Sequence, residues 1–555
     1  MKKRVIAMLL ATIFGVSMFT GCSTKKDNLG SKQQTYDEIE FTGENDYGWD
    51  VPKETFEFSY YKKATMDPDK EAKYLEKMNA YLLENFNLRI NKMMYDSDGE
   101  ERLNLMLASN SYPEVITGLS KTDVIKLKEQ GKIIDMAPYI DEYGSNIKGE
   151  LGDLYPRFED EKGKVYGLPY SWGLLPIPDY SAHIRWDWYQ EMGAPKFETP
   201  YEYYEILKKM VEDHPTNENG EKVYALSWND TSSINTIAGI WGLKDGYKED
   251  ANHNLTHWIN TEEGHEFTKF YNTVYRDGML DPDAFTNKFE DWKTKFSTER
   301  VVGHIGPWWQ SWNAGHEVWQ ATDENWTEDM RYVQVKVKDE KAEQAYLSPK
   351  NVNGEGYTVI TDKCKNPEMV TKVLDLMMTP NGTRLFAWGV PNEEDSNWNF
   401  TDGQWSFNEK AKEEIINATY DYEKHYYSGQ NRIWLSHPQG QLSDDPSTNA
   451  WIDQCFNDDA KWKKMINENL ADTVYDNSAM YEIVFLPNDD VTIKQQQVED
   501  TINMYWAKTV LSNSDDEFEK NYKVMKDALN KAGVNELQEY MSTEYNKILE
   551  KWEMK

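Results

Sequence analysis

The residues of this chain with the most chemistry to offer are aromatic. Tyr60, Tyr61, Trp172, Trp228, Trp308, Trp309, Trp312 and Trp388 each fall at or just past the end of a predicted segment, and Thr117, Gly118 and Asn229 stand at the same kind of place. Aromatics make up 14% of the 555 residues, with 21 Trp and 35 Tyr, beyond what core packing alone needs. Trp and Tyr combine a flat apolar face with a polar tip, which suits a wet binding surface. A sugar ring is the complementary shape, with a face of C–H bonds and an equator of hydroxyls. These residues therefore offer capture by stacking, with loop amides and hydroxyls around the edge. Each also has a packing alternative. Tyr60 continues the Phe56/Phe58 alternation and suits a core, while Trp309 and Trp312 can form a surface cluster. Trp186 and Trp188 lie in a predicted helix and read as structural.

The elements that must position these groups follow from periodicity. Phe56, Phe58 and Tyr60 alternate and predict a strand. Leu75, Met78 and Leu82, joined by Tyr74 and Tyr81, predict a helix over 71–87. A second strand begins at Leu88–Arg89–Ile90, a short helix covers 103–109, and Glu114–Thr117 is a third strand. Strand and helix alternate, so the body is α/β with a largely parallel sheet. Ligands of such sheets sit beyond the carboxyl ends of the strands. The loops after Ser59 and Ile116 are therefore expected contacts.

Further along, Lys164–Tyr170 is a short strand between Gly163 and Pro169, suited to a crossing between lobes. Thr199, Pro200 and Glu202 make a helix start with a capping box. Val223–Ser227 predicts a strand ending at Trp228–Asn229, and Val301–Ile305 one that runs into Gly306–Pro307–Trp308. Tyr357–Ile360 is another strand, followed by a helix that Asn366 caps and Pro367 opens. From about Glu409 to Trp552 the pattern is mostly helical.

Other chemistries find little support. The formal charge of −35 opposes binding of nucleic acid or of anionic lipid by adsorption. Neither Cys-x-x-Cys nor His-Glu-x-x-His occurs, so no metal is expected, and no cofactor motif is present. Cys364 and Cys455 can pair in an oxidising compartment, but nothing in their spacing argues for it. A glycan-cleaving enzyme needs an acid and a partner carboxylate roughly 5–10 Å apart. Among 96 acidic residues, pairs such as Glu393/Glu394 and Asp444/Asp445 do not single out such a site, and no Gly-x-Ser-x-Gly appears.

The chain opens with Lys2–Lys3–Arg4, an apolar run from Val5 to Val16, and Phe19–Thr20–Gly21–Cys22–Ser23. This is the plan of a secretory signal, too short for an ordinary spanning helix. Gly21–Cys22 resembles the lipobox of bacterial lipoproteins, which implies a signal over 1–21 and a mature end lipidated at Cys22. Residues 22–45 are polar and predict a flexible tether.

Leu107–Asn110 with Pro113–Ile116, Gly131–Met136 with Pro138–Ile140, and Val165–Pro169 resemble stretches of extracellular solute-binding lipoproteins of bacterial ABC importers, in the oligosaccharide- and sugar-binding branch. Arg185–Trp188 with Gly193 and Thr199–Pro200, Asn366–Glu368 with Gly382, and the closing helices from Tyr522 to Tyr545 are similar in the same order. The resemblance covers roughly residues 50–550. It implies a two-lobe periplasmic-binding-protein-like α/β fold (type II) with hinge crossings and an extended helical C-terminal part. One lobe is expected over 45–168 and 301–360, the other over 171–298 and 366–555, with crossings near Tyr170, Ile360 and Ser297–Val301. Some relatives carry a calcium loop where Pro215–Gly220 stands here. Pro215 takes the place of the first acidic ligand, so metal binding is not carried over. The implied function is capture of a carbohydrate, an oligosaccharide above all, by a monomer lipid-anchored outside the cytoplasmic membrane, for delivery to a permease. The alternatives are an anchored glycan-degrading enzyme, a peptide or other small solute as ligand, and a membrane sensor as partner.

Overall fold

Two separate sheets, each with its own apolar core, organise the chain. In this computed structural model, residues 36–554 are described, apart from 64–67, 94–98, 170, 173–177, 229–233, 355, 397, 417–436, 439–459 and 488. The signal, Cys22 and the first part of the tether lie outside the described residues, as do Asn229 and Cys455. Among the described residues no helix is long and apolar enough to cross a membrane.

The strands that frame the site are, in chain order, β1 (Phe56–Lys62), β2 (Leu88–Lys92), β3 (Val115–Leu119), β4 (Leu168–Pro169), β5 (Tyr180–Arg185), β6 (Tyr224–Leu226), β7 (Val301–Pro307), β8 (Tyr332–Val335) and β9 (Tyr357–Ile360). The first sheet has the order β2-β1-β3-β9-β4. Its β1, β2 and β3 are parallel, while β9 runs antiparallel to both β3 and β4. The second sheet has the order β8-β5-β7-β6, with β6 and β7 parallel and β5 antiparallel to β7 and β8.

The helices form for the reasons their sequences give. Tyr74, Met78 and Leu82 of the helix Pro68–Phe86 are fully buried on the first sheet. Helix Pro200–Asp213 starts with Thr199 accepting from the Glu202 amide while the Glu202 carboxylate accepts from the amides of Glu198 and Thr199. It buries Tyr203, Leu207 and Met210 against the second sheet. Asn366 caps helix Pro367–Leu376 by accepting from the Met369 amide. The C-terminal helices Asp490–Val510, Asp515–Ala532 and Val534–Lys551 add Trp506, Phe518, Met525, Leu529 and Leu537 to the second core.

The division of the chain differs from the expected one in several places. Val301–Pro307 and Tyr332–Val335 belong to the second sheet, not the first. An apolar run buried along its whole length fits either sheet, and the register with β5 and β6 decides. Helix Pro367–Leu376 and helix Pro380–Trp388 pack on the first core through Met369, Val370, Val373, Leu374 and Leu385, so the second lobe does not resume at 366. Ile360 lies inside the first sheet, and the passage between sheets runs from Ser348–Lys350, attached to the second lobe, to Tyr357. Ser297–Val301 makes no crossing, because it joins a second-lobe helix to a second-lobe strand. The tether is also shorter than predicted. Phe41–Glu44 pairs with Asp50–Pro52, Tyr36 and Phe41 pack on the first core, and Lys372 Nζ donates to the Tyr36 hydroxyl at 2.8 Å.

Candidate functional site

The passages enter both sheets at their carboxyl edges. Tyr357 of β9 stands opposite Leu119, the last residue of β3, and opposite Pro169 of β4. Tyr180, the first residue of β5, stands opposite Pro307, the last of β7. The carboxyl ends of β1, β3, β6 and β7 therefore lie on the sides that the connecting segments join, which is where an α/β sheet takes its ligand.

Hydrogen bonds fix this region. The Trp308 amide donates to the Asp179 carbonyl at 2.9 Å. The Asp179 carboxylate pairs with Lys350, so the two passages are tied together beside the first Trp. The Tyr180 amide donates to Ser348 Oγ at 3.1 Å, and Ser348 Oγ donates back to the Tyr180 carbonyl at 3.2 Å. Gln334 Nε2 donates to the Pro178 carbonyl at 2.9 Å.

At the end of β7 the chain turns into helix Trp308–Ser311, a wide π-type turn over Trp312–His316, and helix Glu317–Thr322. Trp309 is 42% exposed, and Trp308 and Trp312 are half-buried. Trp312 stacks on His316 at 6.2 Å, and His316 meets the Trp326 ring edge-on at 5.5 Å. Beneath them Trp292, Phe296, Val301 and Ala314 form a small apolar cluster. Gly306 is required here: a Cβ would lie 2.4 Å from His304 Nε2. His304 and His183 stack at 5.3 Å on adjacent strands, both fully buried. Burial pushes His304 down to about 3, against a small upward pull from Gln310, and His316 down to about 4, with Arg331 adding to the effect. These imidazoles are neutral at physiological pH.

A second polar group sits where β6 ends. Lys295 Nζ donates to both oxygens of Asp281, to Asp283 and to Asn287 Oδ1, each at 2.9 Å. Asp281 also accepts from Ser227 Oγ at 2.6 Å and Asn287 Nδ2 at 2.8 Å. Burial raises the Asp281 pKa, but these donors outweigh it and hold the carboxyl below its ordinary value. This network lies beyond Trp228 and Asn229, the residues expected from the sequence at this strand end. Its only sequence signal is Asp281–Pro282–Asp283 directly after an apolar pair.

The predicted site residues separate into two sets. Trp308, Trp309 and Trp312 are brought together at the carboxyl edge of the second sheet. Gly118 is half-buried at the matching edge of the first, with φ +76°, and a Cβ there would meet the Lys63 carbonyl at 3.0 Å. The other set is core. Tyr60 is fully buried, Tyr61 is buried with its hydroxyl donating to the Gly99 carbonyl at 2.8 Å, and Thr117 shares a hydrogen bond with Thr358 inside the sheet. Both tyrosines face inward because β1 is covered on its two sides at this end. Trp228 is also a core residue, with Tyr271 and Phe285 edge-on at 5.0 and 5.1 Å and Trp506 at 5.8 Å. Its strand end is roofed by the C-terminal helices. Trp172 stands opposite Pro438 in a short parallel pair, and Trp388 ends a first-lobe helix; their side chains lie outside the described residues. In the Pro215–Gly220 loop, Asn217 Oδ1 accepts from the amides of Asn219 and Glu221, and Nδ2 donates to Glu221 and to the Thr298 carbonyl.

The alginate-binding protein AlgQ2, solved without calcium ion, superposes with a TM-score of 0.64 over 90% of this chain and 99% of its own, at 17% identity. The Streptococcus pneumoniae ABC-transporter substrate-binding protein FusA in complex with kestose gives 0.63 over 89% and 99%, at 18% identity. This is the two-lobe solute-binding fold. An extracellular solute-binding protein from Bifidobacterium longum subsp. infantis shares the solute-binding fold with a TM-score of 0.63, over 89% of this chain and 98% of its own, at 12% identity. No family model matches the sequence. The polygalacturonan/rhamnogalacturonan-binding protein YtcQ of Bacillus subtilis (strain 168) is 24% identical over 216 residues, 38% of this chain and 42% of YtcQ. Lipoprotein LipO of the same organism is 24% identical over 195 residues, 34% of this chain and 38% of LipO. The chain thus aligns with about two-fifths of the length of these curated relatives.

Proposed function

We propose that this protein is an extracytoplasmic solute-binding lipoprotein that captures a carbohydrate, an oligosaccharide in particular, between its lobes and delivers it to an ABC-transporter permease. The observation that carries the reading is the placing of Trp308, Trp309 and Trp312 at the carboxyl edge of the second sheet, on the side where the passages join the lobes. Stacked aromatic faces with hydroxyl and amide groups nearby are what a sugar ring needs. The relatives support it by name, since AlgQ2 is called alginate-binding, FusA is solved with kestose, and YtcQ is called polygalacturonan/rhamnogalacturonan-binding.

The anchor belongs to the same proposal. Cys22, freed by removal of residues 1–21, carries two acyl chains or more, because one chain holds a protein only marginally at a membrane. The lobes then sit outside the cytoplasmic membrane on a polar tether, as a monomer. Replacement Cys22→Ser should move the protein from the membrane fraction to the soluble one.

A thermal-shift screen against mono- and oligosaccharides, with peptides as controls, tests the ligand. A ligand bound only by the folded state raises stability by about 2.7 kcal/mol at a hundred times its dissociation constant. A shift with one glycan class, recovered intact, establishes the reading. The same shift with the glycan recovered cleaved makes the protein an enzyme, and a shift with peptides alone overturns the ligand class.

A further inference from the structure

We propose that the last turn of the chain is a clasp: Lys551 and Trp552, carried by the second lobe, grip Arg157 and Glu159 of the first, and this grip, made by residues other than Trp308, Trp309 and Trp312, sets how the lobes stand relative to one another. Helix Val534–Lys551 is rooted in the second core by Val534, Leu537 and Met541. At its C-terminal end the contacts change lobe. Lys551 Nζ donates to the Glu159 carbonyl at 2.8 Å. The Arg157 guanidinium lies over the Trp552 ring at 4.4 Å. Arg157 follows Tyr155 and precedes Phe158, both buried in the first core.

The same guanidinium reaches the passage between the lobes. Arg157 Nη1 donates to Oδ1 of Asn353 at 3.1 Å, and Asn353 lies between Lys350 and Tyr357. One side chain therefore touches the tail of one lobe, stands on the other, and holds the segment that joins them. A second tie flanks that segment. The Val352 amide donates to Ser478 Oγ at 2.8 Å. Four residues on, Glu482 accepts from the Tyr357 hydroxyl at 2.8 Å and pairs with Lys121 of the first lobe at 2.8 Å.

Any rotation of the lobes about residues 350–357 changes the distance from Trp552 to Arg157. A cation–π contact acts only within about 6 Å of the ring, so the grip exists in some arrangements of the lobes and not in others. A contact made in one arrangement alone biases the balance between arrangements. The inference uses the two-lobe architecture and not the identity of the ligand.

The test needs no ligand. Single-molecule energy transfer in the full-length protein in detergent, between dyes on unnatural residues at positions 129 and 212, reads the spacing of the lobes directly. Trp552→Ala and Arg157→Ala should each move the ratio of lobe arrangements by about threefold to tenfold, and the double variant no further than either single one. Trp552→Phe, which keeps an aromatic face, should restore the wild-type distribution. Distributions of both alanine variants that superimpose on wild type overturn the clasp. Position 552 lies in the last turn, so its variant decides the matter even where Arg157→Ala fails to fold. A failed carbohydrate screen leaves this result standing, and a failed clasp leaves the carbohydrate reading standing.

Discussion

The Trp308 amide is hydrogen-bonded to the Asp179 carbonyl at 2.9 Å, which pins the first residue of the aromatic turn to the segment that arrives from the first lobe. The proposed stacking surface is thereby fixed to a passage rather than to a free loop. Binding groups held on rigid elements keep their geometry better than groups on mobile segments.

Trp309 and Trp228 should respond to alanine in opposite ways. Trp309 is exposed, so Trp309→Ala should leave the melting midpoint near wild type. Its loss should weaken oligosaccharide binding by more than about 1 kcal/mol, as truncation of a side chain that carries binding energy does, and titration calorimetry would read it. Trp228 is 6% exposed among Tyr271, Phe285 and Trp506, so Trp228→Ala should cost about 3–5 kcal/mol of stability. Unchanged stability there would remove Trp228 from the core.

Lys295 should be indispensable because of Asp281. Asp281 is buried, and Lys295 is its only described cationic partner. Lys295→Met leaves that carboxylate with the neutral donors Ser227, Asn287 and the Asp283 amide and without its cation, which should cost about 3–5 kcal/mol near neutral pH. The pH dependence checks the cause. In wild type the folded-state pKa of Asp281 is depressed, so its contribution is present above the unfolded value near 3.9 and is lost as pH falls through the folded value. In the variant the sign reverses, because burial without the cation raises the pKa and protonation then relieves the charge. The deficit of Lys295→Met should therefore shrink between pH 7 and pH 4 in denaturant titrations.

The buried histidines predict the acid limb. His304 is pushed down to about 3, His183 lies well below its ordinary value, and burial is the main cause in both. The unfolded chain takes up these protons below about pH 6.5 and the folded chain does not. Stability from these groups is thus full above pH 6.5 and falls by about 1.4 kcal/mol per pH unit for each histidine as pH drops toward the folded values. His304→Gln should flatten the slope between pH 6 and pH 4 by one proton, whatever it does to stability at pH 7. An unchanged slope would mean that His304 binds its proton in the folded state.

The local pattern of the chain carried most of the elements but not their partners. The alternation of Phe56, Phe58 and Tyr60, the Thr199–Glu202 capping box and the Asn366 cap are all interactions within a few residues, and each is present in the structure. Val301–Pro307 was legible as a strand, yet its sheet is set by pairing with Tyr180–Arg185, more than a hundred positions away. The same distance in sequence hid the burial of Trp228. Its strand end looked open, and the ring that closes it, Trp506, comes from a C-terminal helix. That Trp308, Trp309 and Trp312 follow a strand was legible because Gly306–Pro307 marks its end locally.

Gly306 gives the last prediction, since it separates shape from stacking. A methyl group at this position would sit 2.4 Å from His304 Nε2 and 3.4 Å from Gln310 Oε1. Both neighbours are held, His304 by its strand and its stack on His183, and Gln310 by the helix that carries Trp308 and Trp309. The helix is the less buried of the two, so it should give way first. Gly306→Ala should therefore cost about 1–3 kcal/mol in stability, the usual range for overpacking, and should also weaken oligosaccharide binding although every Trp is retained. Trp309→Ala, by contrast, should weaken binding alone. Melting curves and titration calorimetry on the two variants decide the point: if Gly306→Ala loses stability but binds the same oligosaccharide as tightly as wild type, the turn at Trp308 does not hold the ligand.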